Sequence, residues 1–145
     1  LVDDIVDELS RSKALRVYAS NIMTQPGETD FFSAGDHVRA IIDHTGKNIV
    51  DYVFANSNKL SEDVYMKYFE EGSTPVYITP EDREYLDEVD IRTAEGNYIG
   101  VRSWYVRHNY EKLSMDILHL ATSKISNRSA AKQIRAKKQF QRSNR

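Results

Sequence analysis

Apolar residues recur along the chain with two alternating periods. Val2, Ile5, Val6 and Leu9 fall at helical spacing and predict an amphipathic helix over residues 2–11. The run from Leu15 to Ile22 is rich in β-branched and aromatic residues and reads as a strand, which Pro26-Gly27 breaks into a loop. Ser33, with Asp36 three residues on, has the form of a capping box; it opens a helix with Val38, Ile41 and Ile42 inward and Gly46 at its end. The alternation then repeats. Residues 49–55, Ile-Val-Asp-Tyr-Val-Phe-Ala, make a short apolar run of the kind that forms buried parallel strands. Ser61 is placed to cap a helix carrying Val64, Tyr65, Tyr68 and Phe69, with Gly72 closing the segment. Pro75 to Ile78 reads as a third strand, and Thr79-Pro80 opens a short helix over 80–87. Residues 88–106 are ambiguous, offering one or two short strands, and Asn109 caps a last helix through Tyr110, Leu113, Ile117, Leu120 and Ala121.

Strands alternating with helices predict an α/β fold, a mainly parallel sheet covered on both sides. In such sheets ligands bind beyond the carboxyl ends of the strands. The loop from Thr24 to Asp30 stands at that address, and Asn56-Ser57-Asn58 holds the equivalent position after the second strand.

Composition narrows the chemistry. The absence of cysteine excludes structural disulfides, thiolate zinc sites and cysteine nucleophiles, and suits a reducing cytosol. No apolar run approaches the roughly 20 residues of a membrane span, and the acidic start does not read as a signal peptide. The chain opens inside a helix without a methionine, as a piece of a longer protein would. The net charge of −2 hides an asymmetry. Residues 126–145 hold seven basic residues and no acidic one, which leaves thirteen basic against 22 acidic in residues 1–125. Such a tail reads either as a solvated terminus or as a contact for nucleic acid or anionic lipid. Its one aromatic residue, Phe140, is too few for a single-strand binder.

Among the candidate groups, the 24–30 loop combines a turn, two hydroxyls, an amide and two carboxylates. Backbone N–H groups before a helix suit a phosphate, and Glu28 and Asp30 suit ribose hydroxyls or a magnesium ion. The alternative is an ordinary strand-to-helix turn, since one glycine is no dinucleotide fingerprint and no Gly-Lys-Ser/Thr element is present. His37 and His44 lie two helical turns, roughly 10 Å, apart and cannot share a metal; they read as a solvated helix face. Arg107, at a helix entrance, is either a bidentate phosphate clamp or a partner of a surface carboxylate. Tyr68 either packs into the core or offers its ring to a base or sugar.

Several of these segments together resemble the bacterial gluconeogenesis-factor family, CofD-like proteins related to the phospholactate transferase of coenzyme F420 synthesis. The strongest is Val17-Tyr18-Ala19-Ser20-Asn21-Ile22-Met23-Thr24-Gln25-Pro26-Gly27-Glu28-Thr29-Asp30, running on into the helix from Asp36-His37-Val38 to Asp43-His44. Asp51-Tyr52-Val53 with Asn56, Tyr68 to Val76, and Arg107 to Leu113 follow in the same order. Two positions depart from the pattern: Phe31 stands where the family usually has glycine, and Asn109 where it has aspartate. The resemblance implies a Rossmann-like three-layer domain of which this chain is the carboxyl-terminal portion over residues 1–125, with 126–145 a flexible basic tail. The family's Gly-rich first strand would then lie outside it. An open sheet with an unpaired edge invites self-association, so a homo-oligomer is expected. The resemblance further implies a cytoplasmic regulator that binds a UDP-sugar, notably UDP-N-acetylglucosamine, and connects carbon metabolism with cell-wall synthesis and cell shape. Tyr68 and Arg107 correspond to the family's tyrosine and arginine for that ligand. Asn21, Thr24, Asp30 and Asn56 are candidates from position. The alternative is a nucleotide-dependent phospho-transferase, with magnesium held by Asp30 or Glu28.

Overall fold

The central strand of the sheet is the one whose sequence is apolar up to its last residue, Asn56. In the computed structural model, which describes residues 3–124, β2 (Tyr52–Asn56) is buried at all five positions and flanked on both sides by parallel neighbours. β1 (Val17–Ala19) pairs with it in the register Val17↔Tyr52, and β3 (Arg92–Gly96) in the register Tyr52↔Arg92, giving the order β1-β2-β3. Alternate β2 residues serve two faces. Val53 and Ala55 join a core with Val38, Val76, Leu86 and Ile91, whereas Phe54 meets Tyr98 at 6.0 Å between ring centroids on the other face.

Local chemistry sets the helix limits. α1 covers Asp3–Arg11 and buries Val6. α2 (Ala34–Thr45) starts with both bonds of the Ser33–Asp36 capping box and stops at Gly46, whose φ of 64° is the left-handed conformation a helix C-terminus favours. α4 (Pro80–Glu88) has the same device, Thr79 with Asp82, and Pro80 in its first turn. The two caps are joined: Ser33 Oγ donates to Asp82 Oδ1 at 2.7 Å, and Asp82 is buried. Gly35 makes that approach feasible, because a Cβ there would stand 2.1 Å from the Asp82 carboxylate.

Three expectations need correction. Pro75 to Ile78 is not a strand; it makes a single bridge, Met23↔Pro75, and the third strand of the sheet is β3, drawn from the ambiguous segment. Ser61 stands at the N-cap of α3 (Glu62–Glu70) without a side-chain capping bond. His37 does not face solvent: it is buried, its Nδ1 2.8 Å from the Ser33 carbonyl oxygen and its ring edge-on to Phe32. Aromatic contact with Phe32 and Tyr18 outweighs the polar character that placed it on an outer face.

The ambiguous segment also supplies an antiparallel hairpin, β4 (Ile99–Arg102) and β5 (Tyr105–His108), turned by Ser103 and Trp104, both at positive φ. The chain divides into two compact units, residues 1–113 and 114–145. Helix begins at residue 110 in the first, where the Asn109 side chain accepts from the Lys112 amide, and residues 114–124 of the second are helical. The basic tail lies outside the described residues.

Candidate functional site

Where β1 ends, the chain leaves the sheet and is stapled to the segment that follows α3. Thr24 N–H donates to the Thr74 carbonyl at 2.8 Å, Thr74 N–H returns to Thr24 Oγ1 at 2.8 Å, and Ser73 Oγ donates to the Thr24 carbonyl at 2.6 Å. This staple borders a cavity of about 340 Å³, lined among others by Asn21, Thr24, Tyr68, Glu71, Arg107 and His108. The cavity lies beyond the carboxyl end of β1, where parallel sheets place their ligands, and its size falls at the lower end of small-molecule pockets.

Of the six candidate residues, four meet at this cavity, 86 residues separating Asn21 from Arg107. Asn21 is half-buried, and its side-chain amide bonds to no other described residue. Thr24 is buried and its hydroxyl is engaged by Thr74, so it shapes the wall. Tyr68 is half-buried on α3, and its hydroxyl accepts from Val106 N–H at 2.8 Å. Arg107 is exposed on β5, donates from Nη1 to the Val106 carbonyl at 2.8 Å, and lies 5.5 Å from the Tyr105 ring centroid. It has no carboxylate partner among the described residues, which leaves most of its donors available to an anion.

The other two candidates stand apart from the cavity lining. The Asp30 carboxylate accepts from Gly27 N–H at 2.9 and 3.1 Å, and Thr29 Oγ1 accepts from Gln25 N–H at 2.8 Å, so these side chains close the loop upon itself. Phe31 follows in the left-handed region with φ 61°. Glycine, which has no Cβ, adopts that conformation more readily than phenylalanine does. Asn56 is buried at the end of β2; its amide donates to the Asn58 carbonyl at 2.6 Å and its oxygen accepts from the N–H groups of Asn58 and Tyr98. The Asn56-Ser57-Asn58 loop is therefore built around its own asparagine.

Two lining residues escaped the sequence reading. His108 adjoins Arg107, and its Nε2 lies 2.9 Å from the Ser20 carbonyl oxygen, holding the end of β5 to the exit of β1. Glu71 stands three residues after Tyr68, one helical turn along the same face. That spacing was the signal available for it. Glu71 is the C-cap residue of α3, the end at which a helix disfavours negative charge.

The fold and the cavity define a Rossmann-like α/β domain with a polar site at the carboxyl edge of its parallel sheet. The chain belongs to the CofD-like family that includes the gluconeogenesis factors: the family model described as 2-phospho-L-lactate transferase CofD matches residues 1–99. A putative gluconeogenesis factor of Clostridium acetobutylicum is 46% identical over 114 residues, covering 79% of this chain and 25% of that protein. The gluconeogenesis factor of Halalkalibacterium halodurans is 36% identical over 118 residues, covering 81% and 36%. In structure, a UPF0052-family protein from Bacillus halodurans superposes with a TM-score of 0.73 at 35% identity, over 79% of this chain and 36% of that one. The chain thus spans between a quarter and about 36% of the length of these relatives. Among the described residues, no helix is long and apolar enough to cross a membrane.

Proposed function

We propose that the full-length protein is a regulatory binding protein for a UDP-sugar, with UDP-N-acetylglucosamine as its ligand, acting in the cytoplasm to link carbon metabolism to cell-wall synthesis and cell shape. One observation carries the reading. A single cavity at the carboxyl edge of the sheet gathers Asn21, Tyr68 and Arg107, and the guanidinium has no acidic partner among the described residues. A guanidinium with open donors suits a diphosphate, and an asparagine amide suits the edge of a uracil or an N-acetyl group. The relatives named gluconeogenesis factors support the placement in carbon metabolism. In this reading no reaction is assigned to the protein.

The test is titration calorimetry of the full-length protein with UDP-N-acetylglucosamine. Binding by wild type and a loss of about tenfold or more in Arg107→Ala are expected. Absence of heat with wild type, or equal affinity in the variant, would count against the site.

A second reading, a nucleotide-dependent phospho-transferase, draws on the description of the matching family model. It would turn Asp30 and Glu28 toward a magnesium ion. In this structure the Asp30 oxygens face the Gly27 amide and Glu28 is exposed, so the loop by itself does not fit that ion. A coupled transferase assay with and without magnesium separates the two readings.

A further inference from the structure

We propose that the Tyr68 hydroxyl is a latch that positions Arg107, so that Tyr68 acts on ligand through β5 and not through the face of its ring. The inference rests on the binding reading above and gives one of its residues a different task.

The hairpin geometry creates the need for a latch. Ser103 and Trp104 form a two-residue turn, so Arg102 and Tyr105 face each other as the closing pair of the ladder. In an antiparallel ladder the next residue along, Val106, then turns its N–H away from β4. Val106 is 5% exposed, so that N–H has little access to water. An unpaired buried amide is costly, and among the described residues the Tyr68 hydroxyl is the acceptor that meets it, at 2.8 Å. Arg107 is the adjacent residue, and its Nη1 folds back on the carbonyl of the same Val106. Tyr68 therefore holds the strand one residue before Arg107, on the far side of the Val106 Cα from the peptide whose carbonyl the guanidinium meets.

Among the described residues, Lys67 supplies the other polar contacts from α3 to the hairpin. Lys67 Nζ lies 3.4 Å from the Trp104 carbonyl oxygen and 4.5 Å from the centroid of the Tyr105 ring. Those contacts grip the turn, whereas Tyr68 grips the strand beside the pocket. With its hydroxyl bonded to the backbone, the Tyr68 ring is held at both ends and is not free to swing onto a ligand. Phenylalanine at this position keeps the ring and loses the latch.

Calorimetry of the full-length protein with UDP-N-acetylglucosamine tests this in wild type, Tyr68→Phe, Arg107→Ala and the double variant, alongside hydrogen exchange of the Val106 amide. Tyr68→Phe is expected to weaken binding about tenfold and to speed exchange at Val106. The double variant is expected to bind no more weakly than Arg107→Ala alone, because the two changes remove one shared interaction. Wild-type affinity or wild-type Val106 exchange in Tyr68→Phe would overturn the latch while leaving the binding reading intact. So would losses that add in the double variant. Absence of heat with wild type would instead overturn the binding reading, and the latch with it.

Discussion

The imidazole of His108 and the carbonyl of Ser20 meet at 2.9 Å across 88 positions of sequence, which fastens the end of the hairpin to the exit of the first strand. A carbonyl oxygen only accepts, so Nε2 carries the proton, and the bond persists when the ring is protonated. Replacing His108 by alanine frees β5 at the edge of the pocket. The expected result is a several-fold loss of affinity for UDP-N-acetylglucosamine in calorimetry, of the size a single hydrogen bond gives.

Glu71 is the negative group of a cavity read as accommodating a diphosphate. It follows α3 at the end where the helix dipole already disfavours negative charge. Glu71→Gln is expected to tighten binding of UDP more than of UDP-N-acetylglucosamine, because the free nucleotide carries the extra terminal charge. The ratio of the two affinities measures this, and an unchanged ratio would remove Glu71 from the account of specificity.

Phe31 is 87% exposed at φ 61°, so its side chain contributes little packing while its backbone is strained. A β-carbon in this region costs about 1–2 kcal/mol, offset in part by the greater freedom of glycine in the unfolded chain. Phe31→Gly is expected to raise stability by about 0.5–1 kcal/mol. Urea denaturation of the full-length protein reads the change directly.

Asn56 makes three hydrogen bonds, all to backbone and all within the fold. Asn56→Ala removes all three bonds at the buried end of β2 and is expected to cost about 1–3 kcal/mol of stability. If Asn56 were instead a ligand contact, affinity would fall while the denaturation midpoint stayed in place.

Lys47 donates to Asp7, tying α1 to the turn after α2, and holds the Asp7 carboxyl below the ordinary aspartate value by hydrogen bonding and charge attraction. A depressed folded value means that the contact's stabilisation is present above the unfolded aspartate pKa. It is lost as pH falls through the folded value. Carboxyl chemical shifts during an acid titration should show Asp7 titrating late, and Lys47→Gln should return it toward the ordinary range.

What the sequence by itself determined was everything written in short-range pattern. The capping pair Ser33–Asp36, the helix start at Thr79-Pro80, the stop at Gly46 and the buried run of β2 follow from residues within one or two turns of each other. The long motif around residues 17–30 carried the family, because a collinear match needs no tertiary knowledge. Only the tertiary structure decided which candidates share a surface. Asn21, Tyr68 and Arg107 come together because β1 ends where α3 and β5 are stapled to it, a meeting that no local spacing encodes. It also decided that β3, with none of its five residues fully buried, completes the sheet in place of the more apolar Pro75 to Ile78. Apolar content reports burial, and burial is compatible with a packed loop as well as with a strand. Pairing is a long-range property of the backbone. For the same reason Asp30 and Asn56, polar residues at the expected edge, turned out to be bonded inward, their partners being the backbone of their own loops.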